Sequence, residues 1–298
     1  MFNFFKKRIG LALGGGAARG LAHLGVLKVF EKFNFIPDLI VGTSMGAIVG
    51  AAVASKNFKS IDDLISKFNS ILKSEQFEKL ESQFLALAGD KKAKNILQRL
   101  KNLTKKIILY EKILNDSFLI PISELEKVLR LFLPYIDIEN LPVKFATVSL
   151  DLNSGKRIIL NRGSLIKAVM ASCAIPGIFQ PLNYQGYLLI DGGWIEKVPA
   201  ISAKLLGAKK VIAVDVSSSP KKEFRELKSG ISFLIYADEI TNNELKNMQI
   251  KIADVVISPL VSNEVWANFR MIDDFVKAGE SATFEKIKEI KKLFKKFF

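Results

Sequence analysis

The chain of 298 residues contains one cysteine, Cys173, and one histidine, His23. A lone cysteine excludes an intramolecular disulfide, which suits a reducing compartment. Together the two residues fall short of the ligand set of an ordinary structural zinc site, and no cofactor is expected. Long uncharged runs are also missing. Residues 39–55 carry no charge, but the stretch is shorter than the roughly 20 residues a membrane-spanning helix needs. It is rich in glycine, with Pro37 and Asp38 just before it. The N-terminal MFNFFKKR, followed by IGLALGGGAA, only faintly imitates a secretory signal, because its apolar part is short and filled with glycine. Cleavage there would remove a motif described below, so a cytoplasmic protein is expected. Acidic residues are in deficit as well. Asp and Glu number 30 against 44 Lys and Arg, a formal net charge of +14. Such a surface attracts nucleic acid or anionic lipid headgroups. With 49% hydrophobic residues the chain can bury a sizeable core.

Along the first part, strand-like and helix-like stretches alternate. Residues 8–13 form a short apolar run ending in glycines, which reads as a buried strand. Val26, Val29, Phe30 and Phe33 follow at the spacing of one helix face. Residues 38–41 read as a second strand, and Met45 to Ala54 as a helix of small residues. This order predicts a parallel sheet covered by helices. Residues 58–135, rich in Lys, Leu and Ile and almost free of glycine, read as a helical insertion. Strands are predicted to resume at 143–150, 156–160, 187–190, 211–216 and 254–258. Helices are predicted at 164–173, 199–206, 231–250 and from about 272 to 296. The expected organisation is a catalytic domain over 8–216, interrupted by 58–135, and a C-terminal extension over 217–298.

Three short motifs carry chemistry. Gly42-Thr43-Ser44-Met45-Gly46 lies between a strand and a helix, where G-x-S-x-G forms a nucleophile elbow. The sharp turn needs Gly42 and Gly46, and it lifts Ser44 to a helix N-terminus, where developing negative charge is favoured. Gly14-Gly15-Gly16-Ala17-Ala18-Arg19-Gly20 also follows a strand. It fails the dinucleotide pattern G-x-G-x-x-G on register and lacks the G-K-[ST] of a phosphate-binding loop. A glycine loop aiming backbone N–H groups at an oxyanion, with Arg19 holding it, fits better. A serine nucleophile needs a base, yet His23 precedes Ser44, whereas the usual order is Ser, acid, His. His23 reads as a packing or helix-face residue. Asp191, closing an apolar strand before Gly192 and Gly193, is the carboxylate candidate, since burial would raise its basicity.

Taken together and in this order, G-x-G-x-x-R-G, G-x-S-x-G and D-G-G resemble the patatin-like phospholipase family. The stretch from Ala171 to Pro181 is similar to that family's A-S-x-A-x-P-x-x-F-x-P segment. Read physically, it is a helix stopped before Pro176 and an extended piece able to wall a pocket. The resemblance covers residues 8–57 and 140–216, and no motif position departs from it. It implies a three-layer α/β fold and a Ser–Asp dyad, with Ser44 as nucleophile and Asp191 as base. The backbone of Gly14, Gly15 and Gly16 would supply the oxyanion donors. The implied activity is a lipid acyl hydrolase working through an acyl-serine on lipid or acyl-ester substrates. Its rivals are an acyltransferase on the same dyad and a non-catalytic lipid-sensing protein.

The basic residues cluster in three places. Residues 91–112 interleave lysines with an apolar stripe, and the N-terminus sets Phe2, Phe4 and Phe5 beside Lys6, Lys7 and Arg8. In the C-terminal helix, Ile287, Ile290, Phe294 and Phe297 alternate with six lysines. Basic amphipathic helices suit peripheral contact with an anionic membrane, here at the inner membrane surface. No recognition motif accompanies the charge, so no nucleic acid partner is expected. The oligomeric state is not legible.

Overall fold

A computed structural model of the chain describes residues 8–88, 118–217, 230–260 and 268–295. The strands are β1 (Ile9–Leu13), β2 (Leu39–Gly42), β3 (Lys144–Asp151), β4 (Arg157–Leu160), β5 (Leu182–Tyr184), β6 (Tyr187–Asp191), β7 (Lys210–Val214) and β8 (Val255–Ile257). They form one sheet of neighbour order β5-β6-β3-β2-β1-β7-β8, with β4 also on β3. Pairs β1–β2, β2–β3, β1–β7 and β7–β8 are parallel, while β4, β5 and β6 pair antiparallel. The sheet is therefore mostly parallel at its centre, as the alternating pattern predicts. The short strand β5 escapes sequence reading, because its Leu182-Asn183-Tyr184 has no apolar run.

The period of two along each strand explains the three layers. Leu11, Leu13, Ile40, Phe145, Ile212 and Val214 point into a large core on one face of the sheet. Their neighbours Ala12, Leu39, Val41, Ala146, Val211 and Ala213 point to a second, smaller core. Small side chains dominate this second face, so the helix there packs close. It is α7 (Ala200–Leu205), whose Ala203 joins the same core.

On the larger face, a 3-10 turn (Ala17–Leu21) leads into α1 (Ala22–Lys32), and α2 (Met45–Ala54) follows β2. The insertion is helical where described: α3 (Ile61–Leu72), α4 (Glu75–Ala88) and α5 (Ile122–Leu129). Ser60 caps α3, its side chain accepting from the Asp63 N–H at 3.1 Å. The remaining helices are α6 (Leu165–Ser172), α8 (Gly230–Ile250), α9 (Ile272–Glu285) and α10 (Ile287–Lys295). The single C-terminal helix expected from about 272 to 296 is thus two, parted at Lys286. The basic stripe of 91–112 and the N-terminal phenylalanines lie outside the described residues.

Residues 217–298 contribute β8 to the sheet and pack α9 against α1. Those two helices touch backbone to backbone through reciprocal glycines. A Cβ on Gly25 would stand 1.9 Å from the Val276 carbonyl oxygen, and one on Gly279 2.0 Å from that of Ala22. Neither position admits a side chain unless the helices part. The apolar residues of α10 also turn inward. Ile290 is fully buried, and the Phe294 ring stacks on Phe35 at 4.8 Å. Lys288, Lys292 and Lys295 are left exposed on the opposite side.

Candidate active site

The register of β3 brings the separated motifs together. Thr147 pairs with Gly42 on one side and Leu160 on the other, while Ser149 pairs with Ile158 and Asp191. A residue has one neighbour per edge, so β2 and β6 share an edge of β3, end to end. Asp191 therefore stands just beyond the point where β2 gives way to the turn carrying Ser44.

That turn is tight. Ser44 has φ 53° and ψ −123°, a left-handed conformation costly for a residue with a side chain. The chain can make it because a Cβ is missing on either side. One on Gly42 would lie 2.4 Å from Ala47 Cα, and one on Gly46 2.1 Å from the Leu13 carbonyl oxygen. Thr43 is held from both ends, its N–H donating to Leu13 O at 3.0 Å and its hydroxyl to Glu196 O at 3.0 Å. Ser44 itself is partly exposed, at the N-terminus of α2.

Asp191 is 3% exposed. Its Oδ1 accepts from the Gly193 N–H at 2.7 Å, and the Ser44 side chain lies close enough to influence its acidity. Burial is the largest influence on its acidity and raises its pKa to about 6. The Gly193 hydrogen bond, the Ser44 side chain and the charge of Lys197 pull the other way. Gly192 packs so tightly on β3 that a Cβ there would lie 2.2 Å from the Val148 carbonyl oxygen.

The glycine loop lies alongside. A Cβ on Gly15 would be 3.2 Å from Ser44 Cβ, and one on Gly20 would meet the Met45 side chain at 2.3 Å. One expectation needs correction here. The Gly14 N–H donates to Val214 O at 3.0 Å and the Gly15 N–H to Lys197 O at 2.8 Å. These two groups are spent on holding the loop and are not aimed at an oxyanion. Among the described residues the N–H groups of Gly16, Ala17 and Met45 have no acceptor. Arg19 is buried in the field of Asp215 and Glu239, and this burial lowers its pKa. Asp215 also forms an ion pair with Lys246 of α8 at 2.9 Å.

His23 is fully buried, and its Nε2 lies 2.7 Å from the Gly14 carbonyl oxygen. A carbonyl only accepts, so Nε2 carries the hydrogen. Burial lowers the His23 pKa to about 4, which keeps the ring neutral. It braces the loop through the Gly14 carbonyl. Beyond Ser44 opens a narrow cavity of about 80 Å³. Its walls include Met45 and Ile48 of α2, Phe68 of α3, Phe77 of α4, Leu125 of α5, and Cys173, Ile175 and Phe179 after α6. The insertion thus builds much of an almost wholly apolar wall. The segment after α6 lines the cavity as expected, but it turns over residues 176–178 where an extended piece is expected, the Phe179 N–H donating to Ile175 O at 2.9 Å. Among the described residues no cluster of His, Cys, Asp or Glu could hold a metal, and no helix is long and apolar enough to cross a membrane.

Fold and geometry define a class: an α/β protein whose serine, raised on a strand-to-helix turn, faces a buried carboxylate. The chain belongs to the patatin-like phospholipase family, whose model matches residues 11–204. It is 28% identical over 225 residues to an uncharacterised NTE family protein of Mycobacterium tuberculosis, covering 76% of this chain and 53% of that one. It is 28% identical over 211 residues to the lysophospholipase NTE1 of Candida albicans, covering 70% of this chain and 13% of that one. The chain spans about half the length of its mycobacterial relatives. Among solved structures, VipD from Legionella pneumophila aligns over 96% of this chain and 67% of its own, with 16% identity and a TM-score of 0.46.

Sequence reading missed Ser172, Thr43, Lys197 and the bracing role of His23. Ser172 stands inside a recognised segment, but the sequence does not reveal what its hydroxyl touches. That depends on which carbonyl of β3 lies beneath α6.

Proposed function

We propose that this protein hydrolyses acyl esters of lipids through an acyl-serine intermediate on a Ser44–Asp191 dyad. The observation that carries the reading is the register on β3 that sets the strained Ser44 turn beside a buried carboxylate whose pKa is raised to about 6. Such a group is a base strong enough to matter and still ionised near neutral pH. Ser44 Oγ attacks the ester carbonyl carbon while its proton passes to Asp191. The tetrahedral oxyanion is met by the N–H groups of Gly16 and Ala17, with that of Met45 at the N-terminus of α2. Collapse expels the alcohol, which takes the proton from Asp191. Water then repeats the sequence on the acyl-enzyme and releases a fatty acid. The apolar cavity beside Ser44 suits the acyl part of a lipid ester. The lysophospholipase name of the fungal relative agrees with this.

The test is covalent labelling. A fluorophosphonate probe should modify Ser44 stoichiometrically, with the label mapping between Gly42 and Gly46. Hydrolysis without labelling, or a label elsewhere, would remove the acyl-serine mechanism. Chelators should leave the rate unchanged.

Membrane contact at α10 is a separate part of the proposal. Because Ile290 and Phe294 are committed to the core, contact there is electrostatic and made by lysines. Each exposed lysine adds about 1 kcal/mol at an anionic surface, screened as salt rises. Replacing Lys288, Lys292 and Lys295 together with Gln should weaken binding to anionic vesicles more than tenfold at low salt. Hydrolysis of a small soluble ester should stay at the wild-type level. Unchanged vesicle binding would leave α10 as a solvated face.

A further inference from the structure

We propose that Ser172 is a positioning residue that holds the nucleophile's backbone in its strained turn; this rests on the acyl-serine reading above. Ser172 ends α6 and is fully buried. Its hydroxyl donates to the Val148 carbonyl oxygen at 2.6 Å and accepts from the Ser44 N–H at 3.0 Å. A carbonyl can only accept, so the hydroxyl hydrogen is fixed toward β3, and a lone pair is left for Ser44. Among the described residues the Ser44 N–H has no other acceptor.

Three observations give the contact a catalytic meaning. First, Ser44 stands at φ 53°, a conformation a non-glycine residue keeps only when its surroundings impose it. Among the described residues the Ser172 bond is the one side-chain hydrogen bond to that backbone. Second, Val148 O is also the atom against which Gly192 packs, at 2.2 Å from the place a Cβ would occupy. Third, the next residue, Ser149, pairs with Asp191. The base is thus registered directly to β3 at Val148–Ser149. The nucleophile is registered to the same point through Ser172. Without that hydroxyl, Ser44 and Asp191 keep their identities but lose their common reference. The bond also consumes the Ser44 N–H, so oxyanion donors must come from Gly16, Ala17 and Met45.

The experiment compares wild type with Ser172→Ala and Ser172→Cys on a soluble acyl ester, alongside fluorophosphonate labelling rates and thermal melts. A small misplacement of reacting groups costs on the order of 10²-fold in rate. Ser172→Ala should therefore lose about 10- to 100-fold in both kcat and labelling rate, with KM within about twofold of wild type. Ser172→Cys keeps the size but offers only a weak sulfur acceptor, so it should fall between the two. The pH at which activity rises should not move, because Asp191 is untouched. Wild-type kcat in folded Ser172→Ala overturns the proposal. So does a loss confined to KM, which would make Ser172 only a pocket wall. If Ser172→Ala does not fold, Ser172→Cys decides: full kcat there overturns the proposal, and if neither folds Ser172 is a core residue only. A wild-type protein that neither hydrolyses esters nor takes the label sinks the acyl-serine reading itself, and this proposal with it.

Discussion

Ser44→Ala and Asp191→Asn should each lower kcat on an acyl ester by about 10⁴-fold or more while leaving the fold intact. The two groups act on one proton, so removing both should cost little beyond removing either. His23 provides the contrast. It is the only histidine, but its Nε2–H is spent on the Gly14 carbonyl and its pKa is depressed to about 4. A ring that stays neutral and whose Nε2–H is committed to Gly14 is expected to brace the loop, not to serve as a base. His23→Gln, which retains an N–H donor, should keep activity within about an order of magnitude of wild type. A folded His23→Gln protein as inactive as Ser44→Ala would make the dyad assignment wrong. Steady-state kinetics on the four proteins, with melting curves to confirm folding, decides this.

The second large effect is on pH, where activity and stability should move in opposite directions. Asp191 must be ionised to accept a proton. Below its pKa of about 6, kcat/KM should therefore fall about tenfold for each pH unit. The stability sign is the reverse of the usual aspartate. Burial raises the folded pKa from 3.8 to about 6, so the folded state holds the proton more tightly than the unfolded chain. The stability it contributes is present below 3.8 and is lost as pH rises through about 6. A gap of about two units corresponds to roughly 3 kcal/mol, an order-of-magnitude figure. Asp191→Asn removes this burden and should melt above wild type at pH 8, with the gap narrowing at pH 5. His23 acts oppositely, since the unfolded chain protonates as pH falls below 6.5 while the buried ring resists to about 4. Because both proteins carry His23, its effect cancels in the comparison. A wild type that melts higher than Asp191→Asn at pH 8 would mean the ionised carboxylate is not strained by burial.

The candidate site draws on structure well beyond Ser44 and Asp191. The cavity beside Ser44 is walled largely by α3, α4 and α5 of the insertion, the part of the chain with no recognisable motif. Phe269, just before α9, completes the wall, pairing edge-on with Phe77 at 5.1 Å. Arg19 of the glycine loop lies in the field of Asp215, which pairs with Lys246 of α8. Strand β8, helix α8 and Phe269 thus belong to the same body as the serine turn.

Much of this was legible in the amino-acid sequence, for a physical reason. Strand β1, the small-residue helix α2 and the elbow between β2 and α2 are local structures. Apolar runs, glycine placement and one serine specify them without reference to distant residues. The order of the motifs likewise pointed to the family and to Ser44 and Asp191. What only the tertiary structure decided are the pairings across sequence distance. Gly14 and Gly15 looked like oxyanion donors because any glycine loop exposes its N–H groups. Only the approach of Val214 and Lys197 shows those two to be occupied. The stripe on α10 read equally well as a lipid face or a core face, and the stacking of Phe294 on Phe35 resolves it. Gly25 and Gly279 are ordinary helix residues until α1 and α9 cross on them. Ser172 acquires its meaning only when the register of β3 places Val148 beneath it. Local conformation is set by neighbours in the chain. Which hydrogen-bonding groups are spent and which remain free is set by what the fold brings against them.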